Sequence, residues 1–208
     1  MSGSKVDVKV VLLGMHDVGK TCLVERYLHG KFKFNVTATV GAAFGAKKVD
    51  VNGQGVTLGI WDTAGAERYE SMSRIYYRSA RAAIVCYDLT NKASFDKVEF
   101  WIKELLQNEE NCDIYIVGTK LDLVQDGTKE RGMPEGSVEE YARTIGGDVF
   151  ETSAKTGHNI NDLFYKIARD YLRKKKGPVD GGSGGAAGGS SAVKLSDRPQ
   201  QNSGGCPC

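Results

Sequence analysis

The strongest constraint on the fold of this chain is a glycine-containing segment that joins an apolar run to a helical pattern. The run at 8–13 consists of aliphatic and β-branched residues, which are typical of a buried strand. The segment GMHDVGKT at 14–21 follows it and matches the pattern G-x-x-x-x-G-K-[ST] in full. Apolar spacing then predicts a helix over 21–28. A strand, this loop and a helix in succession are typical of a site that holds phosphate groups.

The residue types in this loop suit a nucleoside triphosphate. Gly14 and Gly19 permit backbone conformations in which N–H groups point inward around the phosphates. Lys20 is expected to reach the β- and γ-phosphates, and the Thr21 hydroxyl is expected to ligate Mg²⁺. The other loop residues expected at the nucleotide are His16, Asp17, Val18 and Cys22.

Runs typical of strands alternate with runs typical of helices over 1–176. Strands are predicted at 8–13, 49–51, 56–61, 82–87, 114–117 and 149–152, and helices at 21–28, 94–106, 138–145 and 160–172. Asn52-Gly53 is a hairpin signal between the second and third strands. Runs such as 82–87 are apolar on both faces, as in a parallel sheet covered by helices. The pattern predicts an α/β fold with a doubly wound, six-stranded, mostly parallel sheet flanked by helices.

The composition changes after Lys176. From 177 to 208 the chain is rich in Gly, Ser and Ala and contains few large apolar residues. Such a segment cannot bury enough surface to offset its ordering entropy. We therefore expect one folded domain over 1–176 and a flexible tail over 177–208.

Composition also excludes several classes of protein. The net charge of +2 is too small to indicate nucleic-acid binding. The start of the chain is polar, so no signal peptide is predicted, and no apolar run is long enough to span a bilayer. Cys22, Cys86 and Cys112 show no metal-binding spacing, and we interpret them as buried free thiols that suit a reducing compartment.

A second motif, D-x-x-G, begins at Asp62. Its carboxylate, at the end of a predicted strand, is expected to hold Mg²⁺ through a water. Gly65 would offer its N–H to the γ-phosphate, so the following segment would lose an anchor on hydrolysis. Ala66 stands where the motif leads one to expect glutamine. Because a methyl group cannot hydrogen-bond the attacking water, Ala66 predicts slow hydrolysis.

Two motifs at the ends of consecutive predicted strands favour guanine. In the first, Asp122 can accept hydrogen bonds from N1–H and the 2-amino group, a donor pair that adenine lacks. Lys120 in the same motif would lay its stem over the base, and Thr119 precedes it. In the second, Ser153-Ala154-Lys155, the Ala154 N–H can meet guanine O6.

Together these motifs resemble a Ras-superfamily small GTPase, and within it a Rab, over about 6–172. The segments that resemble Rab motifs are 40–44, 57–61, 76–80, 88–90 and 94–95. The resemblance implies a P-loop NTPase fold, a small GTPase domain over 1–176, and Mg²⁺-dependent GTP/GDP switching in vesicle traffic. It implies that Thr39 binds Mg²⁺ and the γ-phosphate and that Phe32 packs beside the guanine. The aromatic triad that effectors read corresponds to Phe44, Trp61 and Tyr76.

The chain departs from the family pattern at several positions besides Ala66. His16 and Asp17 occupy a stretch where small residues are usual, and Val36 stands where many Rabs have tyrosine. His16 either crowds the γ-phosphate or an activating arginine, or is a solvated loop histidine without consequence. Thr119 replaces the commoner asparagine, and guanine binding is expected to be retained.

The end of the chain, Cys206-Pro207-Cys208, resembles the C-x-C ending on which Rabs receive two geranylgeranyl groups. The resemblance implies a monomer on the cytoplasmic face of endomembranes, with a cytosolic pool. It also implies partners: Rab escort protein and prenyltransferase, a GDP-dissociation inhibitor, an exchange factor, an activating protein and effectors.

Three hypotheses remain open from the sequence. The first is a Rab-like switch with low intrinsic GTP hydrolysis. The second is a constitutively GTP-bound pseudo-GTPase scaffold, which Ala66 and His16 favour. The third is a Rho-like signalling GTPase, suggested only by the Thr119-Lys120-Leu121-Asp122 segment.

Overall fold

The computed structural model describes residues 5–34, 36–65 and 70–176, except for the side chains of 70–73. Its strands are β1 (Val8–Leu13), β2 (Ala42–Val51), β3 (Gln54–Thr63), β4 (Ala82–Asp88), β5 (Asp113–Thr119) and β6 (Asp148–Glu151). They form one six-stranded sheet in the order β2-β3-β1-β4-β5-β6. Among the described strands, only the β2–β3 pair is antiparallel. The predicted doubly wound, mostly parallel sheet is confirmed.

The described helices are α1 (Lys20–His29), α2 (Glu70–Tyr77), α3 (Lys92–Asn108), α4 (Leu121–Gln125), α5 (Ser137–Ile145) and α6 (Ile160–Lys175). The four predicted helices correspond to α1, α3, α5 and α6. Sequence reasoning missed α2 and α4 because both are short, and a five- or eight-residue segment contains too few apolar repeats to show a helical period.

Side-chain alternation along the central strand β1 divides the core into two layers. Val10 and Leu12 face the layer that contains Leu23 of α1 and Phe164 of α6. Val11 and Leu13 face the opposite layer, formed with α3 and α5. Since successive side chains of a strand point to opposite faces, a run that is apolar throughout must be covered on both sides.

The edge strand β2 is longer than the sequence predicted. It pairs with β3 from Ala42–Thr63 to Val51–Gln54, around a turn in which Asn52 (φ 53°) and Gly53 (φ 79°) have left-handed conformations. That turn was predicted from Asn52-Gly53. The first half of β2 was missed because most of its side chains are exposed and its residues carry little apolar signal.

Strands β1, β3, β4 and β5 run parallel in register, so their carboxyl ends share one edge of the sheet. The ends of β1, β3, β5 and the parallel strand β6, with the loops that follow them, carry the glycine loop, the D-x-x-G motif and the two base motifs. Thr39 lies between α1 and β2. A ligand site is expected at this edge in a doubly wound sheet.

Candidate nucleotide-binding site

A cavity of about 430 Å³ opens at this edge of the sheet. Its size falls in the range of small-molecule sites. The predicted nucleotide-site residues that line it are His16, Asp17, Gly19, Lys20, Thr21, Cys22, Phe32, Thr39, Gly65, Thr119, Lys120, Asp122, Ala154 and Lys155. Three more, Gly14, Val18 and Ser153, are buried behind its wall. Ala66, Cys206 and Cys208 lie outside the described residues.

The glycine loop is shaped by two positive φ angles and one lysine. Gly14 has φ 136°, and any side chain there would collide with the carbonyl of Cys86. Gly19, with φ 97°, precedes the first residue of α1. Lys20 Nζ donates to the carbonyls of Gly14 (2.9 Å) and Met15 (2.8 Å), so its ammonium lies over the loop. Burial lowers the pKa of Lys20. The Asp62 and Asp17 carboxylates oppose this shift, and a phosphate beside the ammonium would add further opposite charge.

Three oxygen-bearing side chains from separate segments converge beside Lys20. Thr21 Oγ1 donates to Asp62 Oδ2 at 2.6 Å and lies 2.8 Å from Thr39 Oγ1. The other carboxylate oxygen, Asp62 Oδ1, is buried and has no hydrogen-bond partner among the described residues. Burial raises the pKa of Asp62, although hydrogen bonds and the Lys20 charge oppose the shift.

This oxygen cluster fits Mg²⁺, although the described residues contain no group of three or more His, Cys, Asp or Glu side chains placed to hold a metal ion. Mg²⁺ prefers oxygen ligands and is usually held by one or two carboxylates together with substrate phosphates. The Asp62 Oδ1 atom, which has no hydrogen-bond partner among the described residues, is a ligand atom that such an ion would bind. Thr21, Thr39 and Asp62 would hold the ion, which would neutralise phosphate charge when bound.

Gly65 lies directly against the glycine loop. A Cβ at this position would be 2.6 Å from the backbone nitrogen of His16 and would collide with Lys20 Nζ. Only glycine allows this approach, and it brings the backbone of the second motif beside the ammonium predicted to bind the γ-phosphate. The structure therefore brings Gly65, Lys20 and the Thr21–Asp62 pair to one end of the cavity.

The opposite end of the cavity holds the residues predicted to read the base. Asp122 Oδ1 accepts a hydrogen bond from Ser153 Oγ at 2.6 Å, and its Oδ2 lies 3.8 Å from Lys155 Nζ. Lys120 Nζ donates to Asp88 Oδ2 at 2.8 Å. Burial would raise the pKa of Asp88, but hydrogen bonds from Lys120 and Thr90 outweigh it and lower the pKa. Asp122 is thus fixed by the buried Ser153 hydroxyl before any base is bound.

Thr119 connects the base-reading segment to the glycine loop. Its buried hydroxyl lies within hydrogen-bond distance of the Val18 carbonyl and of the Tyr87 carbonyl, the latter at 2.9 Å. These contacts join β5 to the glycine loop and to β4. Thr119, one of the residues that depart from the family pattern, is therefore a structural bridge, and the residue is 4% exposed.

Arg26 is a residue at this site that the sequence reasoning missed. Its guanidinium donates to three carbonyls: Ala154 from Nε (2.6 Å), Lys155 from Nη2 (2.5 Å) and Gly30 from Nη1 (2.8 Å). No motif marks an arginine at this place in α1, and two of its three partners are backbone atoms far away in the chain. Only the three-dimensional arrangement reveals the contact.

His16 and Asp17 form a pair at the phosphate end of the cavity. His16 Nδ1 lies 3.1 Å from Asp17 Oδ2, and both side chains are largely exposed. Asp17 has a left-handed backbone, with φ 59°. The histidine lines the cavity while more than half of its side chain is exposed to solvent.

The three predicted effector-surface aromatics lie on or beside the sheet edge that carries β2 and β3. Phe44 is 58% exposed and its ring centroid is 4.7 Å from that of Trp61. Trp61 is half-buried against the core and lies under Lys9 Nζ, 5.0 Å from the ring centroid. Tyr76 of α2 is also partly buried against the same core layer. Phe44 is the most accessible of the three.

The expectation that the three cysteines within the folded region are buried thiols is correct only for Cys86. Burial raises the pKa of Cys86 to about 12. Cys22 and Cys112 are free thiols but are partly exposed. Cys22 follows the glycine loop and lines the cavity, and Cys112 lies just before the first residue of β5, so neither position is fully covered.

A glycine loop, a buried lysine and an oxygen cluster at the carboxyl edge of this sheet define a nucleotide-binding P-loop protein. Residues 9–173 match the Ras family. The chain belongs to the Ras family and is a Rab-type small GTPase. Proteins of this family bind guanine nucleotides and hydrolyse GTP.

Curated relatives match from 82% to 99% of the chain. It is 48% identical to Ras-related protein Rab-24 of Dictyostelium discoideum, over 99% of this chain and 100% of the relative. It is 39% identical to mouse Ras-related protein Rab-21, over 99% of this chain and 93% of the relative. Ras-like GTP-binding protein RYL2 of Yarrowia lipolytica is 46% identical over 82% and 84% of the two chains. These names favour the Rab-type prediction over the Rho-like alternative.

Within the described part of the chain, no helix combines the length and apolar character needed to cross a membrane.

Proposed function

We propose that this protein is a GTP/GDP switch for vesicle-mediated membrane traffic, with low intrinsic GTP hydrolysis. The observation that carries the proposal is the contact of Thr21 with both Asp62 and Thr39. It links the glycine loop to the two segments that would sense the γ-phosphate. The family membership and the Rab names of the relatives support the trafficking role.

The switching mechanism follows from the position of these residues. Lys20 and the inward-facing loop N–H groups would hold the β- and γ-phosphates. Thr39 and Gly65 would each lose a partner when the γ-phosphate is lost. Thr39 lies next to the exposed Val40 and near the exposed Phe44, so loss of the phosphate would change a surface that partners can meet.

Slow hydrolysis is proposed from the sequence at position 66. Positioning of the attacking water normally requires a hydrogen-bonding side chain there, and Ala66 has none. Rab-type activating proteins commonly insert their own glutamine with an arginine, so stimulated hydrolysis is compatible with Ala66. His16 would obstruct that arginine if it projects toward the γ-phosphate.

Single-turnover hydrolysis of GTP tests this proposal. Residues 1–176 loaded with GTP and Mg²⁺ are compared with the variants Ala66→Gln and His16→Gly. We expect slow hydrolysis by the parent and a rate at least about tenfold higher for Ala66→Gln, since water positioning contributes strongly to this reaction. Equally fast hydrolysis by the parent and Ala66→Gln would contradict the slow-switch proposal.

The second candidate function is a pseudo-GTPase scaffold that holds GTP without cycling. It is favoured by His16, which lines the phosphate end of the cavity. If neither the parent nor Ala66→Gln hydrolyses bound GTP, and His16→Gly combined with Ala66→Gln does, the histidine blocks the chemistry. If no variant hydrolyses GTP, the scaffold function replaces the switch.

The remaining family-based predictions are part of the same proposal. Phe44, Trp61 and Tyr76 would form the effector surface, and the prenylated Cys206 and Cys208 would anchor a monomer to the cytoplasmic face of endomembranes. An escort protein with prenyltransferase would modify the tail. A dissociation inhibitor would hold the cytosolic pool, and exchange and activating proteins would set the bound nucleotide.

A further inference from the structure

Arg26 holds two separate parts of the cavity wall with one side chain. Two guanidinium nitrogens donate to the carbonyls of Ala154 and Lys155, in the loop after β6. The third donates to the carbonyl of Gly30, where the segment that carries Phe32 leaves α1. Among the described residues the guanidinium has no carboxylate partner, so its contacts are with backbone carbonyls.

The two held segments lie on either side of the place predicted for the base. Ala154 is the residue whose N–H is predicted to meet guanine O6. The Arg26 side chain donates a hydrogen bond to the carbonyl of the same residue. Phe32, predicted to pack beside the guanine, lies two residues after Gly30 and lines the cavity. Hydrogen bonds from a charged donor are about twice as strong as neutral ones, which suits them to fixing a backbone.

Two hydrogen bonds connect Gly30 with Arg26. The Gly30 N–H donates to the Arg26 carbonyl at 2.9 Å, and the Arg26 side chain donates back to the Gly30 carbonyl. Gly30 has a left-handed backbone with φ 66°, which ends α1 at this residue. The direction in which the Phe32 segment leaves the helix therefore depends on Arg26.

From this geometry we infer that Arg26 is a positioning residue for purine recognition and nucleotide retention. The inference rests on the proposed binding of guanine nucleotide in this cavity. Arg26 lies at the base end, and the groups assigned to the phosphates are held by other contacts. Its loss would loosen both walls of the base pocket and leave the phosphate end in place.

The test uses the full chain and its variants Arg26→Ala and Arg26→Lys. We expect GDP to dissociate about tenfold faster from Arg26→Ala, since three charge-assisted bonds to the pocket wall are lost. The affinity ratio of GDP to ADP should fall in the same variant, because a loosened Ala154 N–H discriminates less well against the adenine 6-amino group. Arg26→Lys, which keeps one charged donor, should be intermediate.

Two further measurements separate positioning from a general loss of stability. The first-order hydrolysis rate of bound GTP should stay within about twofold of the parent in Arg26→Ala, because the phosphate end is unchanged. Arg143→Ala is the matched control: Arg143 Nε donates to the Glu139 carbonyl at 3.2 Å on the exposed face of α5. This control should change neither dissociation nor the GDP to ADP ratio.

Different results would contradict the inference about Arg26 and the proposed function. If Arg26→Ala lowers only the thermal unfolding temperature, with dissociation and the GDP to ADP ratio unchanged, Arg26 is structural and the inference is wrong. If Arg143→Ala has the same effect on dissociation, the change is not specific to the pocket, and the inference is again wrong. Failure of the parent itself to bind GDP would contradict the proposed function instead.

Discussion

At the scale of single residues, one departure from the family pattern, Thr119, has a physical account in its contacts. Thr119 presents a hydroxyl to the carbonyls of Val18 and Tyr87. The larger amide of asparagine has two N–H donors, whereas a hydroxyl has one and must share it. The threonine thus preserves the bridge between the base-reading segment and the glycine loop with a single donor.

Replacement of Thr119 by valine should weaken both folding and nucleotide retention. Valine has the same shape but leaves two buried carbonyls without this donor, which costs about 1–3 kcal/mol. We expect a lower unfolding midpoint and faster GDP release for Thr119→Val, measured by denaturant titration and displacement of labelled GDP. Thr119→Ser, which keeps the hydroxyl, is the control and should retain most of the parent's GDP affinity. Equal loss in both variants would show that the methyl group matters and not the bridge.

The sequence predicts some residues of the site and misses others for a consistent reason. Lys20, Thr21 and Asp62 belong to motifs in which residue type and spacing alone indicate the chemistry. Arg26 and the bridging role of Thr119 depend on backbone carbonyls more than 100 positions away in the chain. A carbonyl is present at every residue, so no sequence pattern reveals which one a side chain will reach.

At the scale of elements, helix α6 is attached to the sheet by a polar contact that no motif indicated. Asp170 is buried, and its Oδ2 accepts hydrogen bonds from Tyr115 Oη at 3.1 Å and from Lys166 Nζ at 2.5 Å. Lys166 also donates to Asp148 Oδ2 at 2.6 Å. The contact therefore joins α6 to both β5 and β6. Burial and the neighbouring Asp170 carboxylate raise the pKa of Tyr115, so the phenol remains a donor.

Asp170→Asn should destabilise the folded domain more than Asp148→Asn. The neutral amide weakens a buried, charge-assisted contact with Tyr115 and Lys166, which costs about 1–3 kcal/mol. Asp148 is a half-exposed partner of the same lysine, and exposed ion pairs contribute at most about 1 kcal/mol. Urea unfolding of both variants at one saturating GDP concentration measures the difference. A larger loss for Asp148→Asn would contradict the importance of the buried contact.

Element prediction from the sequence succeeded where burial imposed a pattern. The strand β4, buried along its whole length, was predicted to within one residue. The first half of β2 was missed because an edge strand with exposed side chains needs no apolar alternation. α4 consists of five residues, so its existence depends on the neighbouring base-reading loop and not on its own propensity.

At the scale of the whole molecule, separate motifs form one site because of the sheet topology. Parallel strands in a doubly wound sheet end at a common edge, so the loops after β1, β3, β5 and β6 must meet there. The sequence could therefore predict the composition of the site without predicting any distance. Its prediction of a flexible tail over 177–208 falls outside the described residues and stays a prediction.

The proposed lipid anchor predicts where the full chain will be found in a cell. One prenyl chain would bind a membrane only marginally, because stable anchoring requires two signals. In cells that prenylate proteins, the double variant Cys206→Ser with Cys208→Ser should be entirely cytosolic, and each single variant should be shifted partly to the cytosol. Membrane and soluble fractions of the full chain, followed by mass measurement of the tail, test this expectation.

Cys112→Ser supplies the matched control, since it removes a partly exposed thiol of the folded domain and leaves the tail intact. It should distribute between membrane and cytosol as the parent does. If the double tail variant stays on membranes, the anchor lies elsewhere in the chain or in a partner. If a single variant binds as strongly as the parent, the prediction of two lipid anchors is wrong, and one lipid acts together with a contact from the protein surface.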